Sequence, residues 1–299
     1  MGVVCLNGTL YIVATPIGNT EDITARARRI LAEADVVAAE DTRTTQNLLK
    51  MLGIQNKTVS NHKFNEKRQA DFLLAALESG RHVALVSDAG TPCVSDPGGL
   101  IVSAAAARGI PVVGVCGASA VITALSVCGF PLGSFAFYGF LPKEPKEIRK
   151  ALRAAQTSGV DASVFFESPK RVKKTLQLLA DETPGAALCL CNDLTKLYER
   201  VYRGTPGEIL AALNANPSAE KGEYTLVASL GRAAEETAQG SQSHEAMLVD
   251  HMAAQGGSLK EAVNAMAEQH RGRIAKKEFY AASLRLRALF SEDANLKDV

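Results

Sequence analysis

Three clusters of charged side chains stand where an apolar, β-branched run ends. Glu40-Asp41-Thr42-Arg43 follows Val36-Val37-Ala38-Ala39, Ser87-Asp88 follows Val83-Ala84-Leu85-Val86, and Glu167-Ser168-Pro169-Lys170-Arg171 follows Val164-Phe165-Phe166. Runs of this kind make buried strands, and open α/β folds hold ligands at the carboxyl ends of their strands. A carboxylate there can take a proton from a hydroxyl or fix a ligand's polar groups. The same residues also have structural uses. Asp41 or Thr42 can cap the helix that runs to Leu49, with Arg43 a solvated first-turn residue, and Asp88 can cap a helix after an ordinary Gly/Pro turn. Spacing alone leaves both uses open.

The elements around these clusters have a regular rhythm. Apolar runs at residues 8–14, 35–39, 82–86 and 111–115 are each followed by a loop and a helical pattern, which argues for a mostly parallel, doubly wound sheet. The loop at residues 87–98 holds two aspartates, two prolines and two glycines, so it is shaped rather than floppy. A second ligand loop, Cys116-Gly117-Ala118-Ser119-Ala120, can offer backbone N–H groups and a hydroxyl to a polar ligand. The first strand runs into Thr15-Pro16-Ile17-Gly18-Asn19, which lacks the G-x-G-x-x-G spacing, and Pro16 removes an N–H that a phosphate would want. That disfavours a plain NAD-binding protein. His62, in Asn61-His62-Lys63-Phe64-Asn65-Glu66, has a side chain suited to base catalysis, although a lone loop histidine is more often simply solvated.

Bulk properties narrow the class. A formal net charge of +1 gives no global signal for a polyanion, so any nucleic-acid contact must come from a local basic patch. Of the six cysteines only Cys189 and Cys191 are close, and no second close pair completes a zinc site, so reduced, buried thiols and no metal are expected. No apolar run approaches membrane-spanning length and the start lacks a secretory pattern, so a soluble cytoplasmic protein is expected. Composition shifts at Gly129-Phe130-Pro131-Leu132-Gly133, dividing an α/β domain at residues 1–130 from another at 131–232. The second opens on the aromatic strand Phe135-Ala136-Phe137-Tyr138-Gly139-Phe140. Residues 233–246 read as a flexible linker and 247–299 as a basic helical module. From Ser258 to Arg287, Lys260, Arg271, Arg273, Lys276, Lys277, Arg285 and Arg287 outnumber Glu261, Glu268 and Glu278, a balance that could steer RNA or merely solvate a helix pair.

Taken together the loops resemble one family. Leu10-Tyr11-Ile12-Val13-Ala14-Thr15-Pro16-Ile17-Gly18-Asn19, Glu40-Asp41-Thr42-Arg43 and Ser87-Asp88-Ala89-Gly90-Thr91-Pro92 are similar to its first three signatures. Gly117-Ala118-Ser119-Ala120, Gly139-Phe140-Leu141-Pro142, Glu167-Ser168-Pro169 and Leu194-Thr195-Lys196 extend the match to about residue 230. The chain resembles the RsmI-type branch of the tetrapyrrole-methylase superfamily, ribosomal RNA methyltransferases acting on a cytidine 2′-hydroxyl of the small subunit. The resemblance implies two α/β domains, S-adenosylmethionine in the cleft between them, and a homodimer. It places the cofactor pocket on Pro16, Asp88, Gly90, Thr91, Ser119 and Ala120, with Phe166 and Gly222 flanking the adenosine. Three departures stand out. Cys116 replaces the usual proline, Lys170 a common histidine, and Asn192-Asp193 the usual Arg-Glu, which removes a positive charge.

Methyl transfer to a ribose hydroxyl needs a nearby group to take its proton late, and Glu40, Asp41 and Glu167 are the candidates because all three follow strands. Arg43, Lys170, Arg171 and Lys196 are the expected phosphate contacts, beside aromatic faces for unstacked bases. The rival readings are a methyltransferase of the same fold acting on a small, precorrin-like tetrapyrrole, and a non-catalytic S-adenosylmethionine-binding module.

Overall fold

The computed structural model describes residues 7–230, 243–270 and 274–292. Its first half alternates strands and helices: β1 (Leu10–Val13), α1 (Ala25–Glu33), β2 (Val36–Ala39), α2 (Thr42–Met51), β3 (Thr58–Ser60), α3 (Glu66–Glu78), β4 (Val83–Val86), α4 (Gly99–Ala107), β5 (Val112–Val115) and α5 (Ala120–Val127). The strands form one parallel sheet in the order β3-β2-β4-β1-β5. Every residue of β2 and β4 is buried, as expected where helices cover both faces of a parallel sheet. Leu73, Leu77 and Ile101 pack on one face and Ala27, Leu31 and Leu49 on the other. Side-chain oxygens of Thr24, Asp41 and Ser119 cap α1, α2 and α5, so each helix starts where a polar residue satisfies its free N–H groups.

The second half holds β6 (Phe135–Phe140), α6 (Pro145–Thr157), β7 (Ala162–Glu167), α7 (Val172–Glu182), β8 (Ala187–Asn192), β9 (Arg200–Gly204), α8 (Pro206–Asn214) and β10 (Tyr224–Ser229). Its sheet, β6-β7-β10-β8-β9, is mixed: only β6 and β7 pair in parallel, and the other pairs are antiparallel. The parallel rhythm of the first half therefore does not continue. β8 can run directly into β9 through a short loop, which an antiparallel pair permits and a parallel pair forbids.

Period-two alternation sends these strands' side chains to two different cores. Phe165, Leu188, Leu190 and Leu226 face one cluster with residues of α6, α7 and α8. Val164, Cys189, Cys191 and Val227 face the other, where Val121, Ala124, Leu125 and Cys128, in and just after α5, meet them. A helix of the first half thus covers the sheet of the second, and residues up to 232 form one compact unit. The shift near residue 130 lies between α5 and β6, inside that unit. Cys189 and Cys191 are free thiols with sulfurs 3.8 Å apart in this core, and the hydrogen bond with Cys189, then burial, push the Cys191 thiol up.

The second compact unit contains α9 (His244–Gln255), α10 (Leu259–Gln269) and α11 (Lys276–Glu292). Phe279 is fully buried among Leu248, Val263, Met266 and Leu286, with the His244 and His270 rings 5.2 and 6.0 Å away. Ser258 and Glu261 form a capping box on α10, and Arg285 pairs with Glu245. The helical pattern begins at His244, not 247, because Ser243 accepts the Ala246 N–H and caps α9. Of the linker expected at 233–246, residues 233–242 lie outside the described residues, as do Arg271 and Arg273. Among the described residues no helix is long and apolar enough to cross a membrane.

Candidate active site

The loop after β4 is tied to every neighbouring strand's loop. Gly90 and Thr15 exchange backbone bonds of 2.9 and 3.0 Å with the β1 loop, and the Thr91 hydroxyl donates to Ala118 O (3.3 Å) in the β5 loop. Toward β2, the Asp41 N–H donates to Asp88 Oδ1 at 3.0 Å, while the Asp88 N–H donates to the Glu40 carboxylate. The far end closes at Gly98, whose φ of +130° suits glycine and where a Cβ would lie 2.6 Å from Leu85 Cδ2. The Glu66 carboxylate takes the Gly98 and Leu100 N–H groups at 2.8 and 3.1 Å, fixing the start of α4.

These loops and the edge of the second sheet enclose a cavity of about 450 Å³, within the range of small-molecule sites. Asp88, Gly90, Thr91, Ser119, Ala120, Phe166 and Gly222 all line it, as do Glu40 and Glu167. Pro16 and Asp41 do not. The next residue, Ile17, takes the place expected of Pro16, and Asp41 turns to the start of α2. Asp96, Phe140, Leu194 and Glu223 are among the lining residues that the sequence does not single out. Asp96 had a signal, being the second aspartate of the same Gly/Pro-rich loop. Phe140 and Leu194 lie inside quoted motifs without carrying a polar group. Glu223 directly follows Gly222, in the turn that leads into β10.

Electrostatics separates the carboxylates. Burial, then the fields of Asp96 and Asp88, raise the Glu40 pKa above the ordinary value, and the Asp88 N–H only partly opposes this. Asp96 is raised too, by burial first, with a Ser87 hydrogen bond opposing. Asp41 goes the other way, down to about 2, because the Arg43 guanidinium and backbone N–H both bind it. That pairing makes Asp41 a helix cap rather than a proton acceptor. Tyr224, pushed up to about 12 by burial, donates its hydroxyl to Ala219 O at 2.8 Å and is likewise engaged.

Glu167 reaches the cavity wall, yet its carboxylate is fully used. Arg171 binds it at 2.6 Å, the Thr175 hydroxyl at 2.7 Å and the Ser168 N–H at 2.7 Å. Arg171 also donates to Leu141 O and Pro142 O, so it clamps two strand ends instead of meeting a phosphate. In this ion pair at the end of a strand, both partners are saturated. Lys196 is paired similarly. It bridges Asp193 at 3.1 Å and Glu223 at 2.8 Å, bonds that outweigh the burial acting against its charge and keep its pKa raised. Asp193 also accepts the Glu223 N–H at 3.2 Å, so the Asn192-Asp193 departure helps hold the turn that lines the cavity. Gly222 in that turn has φ +83°, and a Cβ there would meet the Asp193 carboxylate at 2.1 Å. Arg43 and Lys170 remain exposed, the Arg43 side chain 88% so despite its pairing with Asp41. His62 lies outside the cavity lining, and its Nδ1 accepts the Phe64 N–H at 3.2 Å.

Residues 9–210 match the model of the tetrapyrrole (corrin/porphyrin) methylases. The chain belongs to this family. Among its members, the ribosomal RNA small subunit methyltransferase I of Neisseria meningitidis serogroup B is 46% identical over 222 residues, 74% of this chain and 76% of that protein. The protein of the same name from Bacillus subtilis is 38% identical over 279 residues, 92% and 94% of the two chains. These identities place the chain in the ribosomal branch of the tetrapyrrole methylases. Solved structures agree on the fold. The methyltransferase CobJ, at 21% identity, has a TM-score of 0.55 and covers 76% of this chain and 95% of its own. A uroporphyrin-III C-methyltransferase from Thermus thermophilus, solved with S-adenosylhomocysteine, has a TM-score of 0.52 at 20% identity, covering 75% and 98%.

Proposed function

We propose that this tetrapyrrole-methylase family member uses S-adenosylmethionine to methylate a cytidine ribose 2′-hydroxyl in small-subunit (16S) ribosomal RNA. The observation that carries the reading is the two-sided cavity. Glu40, Asp88 and Asp96 stand on one side, and Phe166, Val121 and Leu194 supply apolar surface. Carboxylates suit a positively charged sulfonium and an apolar wall suits a flat base, so the residues present fit the cofactor. Asp88, Gly90, Thr91, Ser119, Ala120, Phe166 and Gly222 would hold it. When bound, S-adenosylmethionine supplies a methyl carbon open to in-line displacement. The names of the relatives support ribosomal RNA as the methyl acceptor.

The chain's own work is alignment and proton removal. Holding a hydroxyl in line with its target is worth up to roughly 7–11 kcal/mol. Glu40 serves as the proton acceptor because its raised pKa makes it a better base than an ordinary carboxylate and, among the described residues, no cation pairs with it. Arg43 and Lys170 serve as phosphate contacts. The resemblance supports a homodimer, and a ribosomal substrate supports work in the cytoplasm.

The test is transfer of labelled methyl from S-adenosylmethionine to purified small ribosomal subunits lacking the modification, followed by nucleoside analysis. The expected product is 2′-O-methylcytidine, absent with Asp88→Ala. Cofactor binding without transfer would discard ribosomal RNA in favour of a tetrapyrrole substrate or a non-catalytic binding role.

A further inference from the structure

One aromatic side chain on the carboxyl edge of the parallel sheet is turned almost wholly to solvent. Phe64, in the loop between β3 and α3, is 94% exposed. A scattered exposed apolar residue needs no explanation, but this one is held in place. The His62 N–H donates to Asn65 Oδ1 at 2.8 Å, the Asn65 N–H returns to His62 O at 2.9 Å, and Asn65 Nδ2 reaches Ser60 O at 3.2 Å. His62 Nδ1 takes the Phe64 N–H, and the two rings meet edge-on at 6.1 Å. The turn presents the phenyl ring outward at little further entropic cost.

Charge and position supply the rest. Lys63, Lys67 and Arg68, close to Phe64 along the chain, are exposed as well, and the one carboxylate in residues 63–68, Glu66, is turned away to the α4 N-terminus. The root of the loop lies beside the reacting edge, since Ser60 pairs with Ala39 in register and the Asn61 N–H donates to Ala39 O at 2.7 Å, next to Glu40. Arg43 follows on that same side. A fixed, exposed aromatic face in a cation-rich segment near the cavity edge matches single-stranded RNA, where bases stack on aromatics and phosphates meet Lys and Arg.

We propose that Phe64, with Lys63, Lys67 and Arg68, forms a platform on which an unpaired base flanking the target nucleotide stacks. The proposal rests on the ribosomal RNA reading above. Its task is substrate capture and positioning, not chemistry.

The test compares wild type, Phe64→Ala, Phe64→Trp and the triple variant Lys63→Ala/Lys67→Ala/Arg68→Ala on small ribosomal subunits. KM for the subunit and kcat are measured separately, with S-adenosylmethionine affinity, thermal melting and sedimentation alongside. Phe64→Ala should raise KM for the subunit by roughly 5- to 150-fold, leaving kcat, cofactor affinity and melting unchanged. Phe64→Trp should restore KM, and the triple variant should flatten the salt dependence of KM. An unchanged KM in Phe64→Ala overturns the platform. So does a shift of Phe64→Ala from dimer to monomer, which would make this surface a contact between two copies of the chain. Wild type inactive on subunits would instead sink the ribosomal RNA reading itself.

Discussion

Glu40 follows β2 and Glu167 ends β7, and both line the same cavity. Their neighbours differ. Glu40 is partly buried beside Asp88 and Asp96, no cation among the described residues pairs with it, and its proton affinity is raised. Glu167, its side chain only 1% exposed, is saturated by Arg171, Thr175 and the Ser168 N–H. A strand-end carboxylate is therefore not reactive by position. Reactivity comes from leaving its charge uncompensated, and strength of fold comes from compensating it.

The sharpest way to break this contrast is Glu40→Gln. Methyl transfer should fall by roughly 10²–10⁴-fold in kcat, with S-adenosylmethionine binding retained by calorimetry. A variant that keeps near-normal turnover would remove Glu40 from the chemistry.

Glu167→Ala should do the reverse. Leaving Arg171 unpaired should cost about 3 kcal/mol of stability, the low end of the usual range because Arg171 stays partly wet. Turnover per folded molecule should persist. Denaturant melts read the first part, and activity normalised to folded protein the second.

The smallest effect concerns pH. The folded pKa of Glu40 lies above its ordinary value of 4.5, so the folded state binds this proton more tightly than the unfolded chain. The stability linked to that proton is present below the ordinary value and lost as pH rises through the raised one. Glu40→Gln should therefore melt slightly higher than wild type near neutrality, with the gain vanishing in acid. Activity of the wild type should rise with pH across the same window and then level, a step the variant lacks. A melting temperature lowered at neutral pH would contradict the strained, uncompensated state assigned to Glu40.

Much of the first half was legible because local signals and tertiary demands agree there. Val83-Ala84-Leu85-Val86 is a continuous apolar run because both sheet faces are covered, and the loop after it announces itself through Gly90, Pro92, Pro97 and Gly98. The second half was harder to read. β9, with Arg200 and Arg203, has few apolar residues because it is an edge strand, and α7 and α8 carry no chemistry to draw attention. Residue types offered candidates, most of which line the cavity, but not which of them would be neutralised by a partner brought in from elsewhere.

The sequence by itself determined the strand–loop–helix order, the ligand loops with their glycines and prolines, and the motifs that mark the family, since these depend on neighbours along the chain. Only the tertiary structure decided that the second sheet is mixed and that α5 of one half covers the sheet of the other. It alone set Asp96 beside Glu40, turned Arg171 inward to Glu167, tied Lys196 to Glu223 and left Phe64 in solvent. The reason is physical. Periodicity and turn chemistry are local, whereas the burial of a charge and the identity of its counter-ion depend on residues far apart in sequence that meet only when the sheets pack.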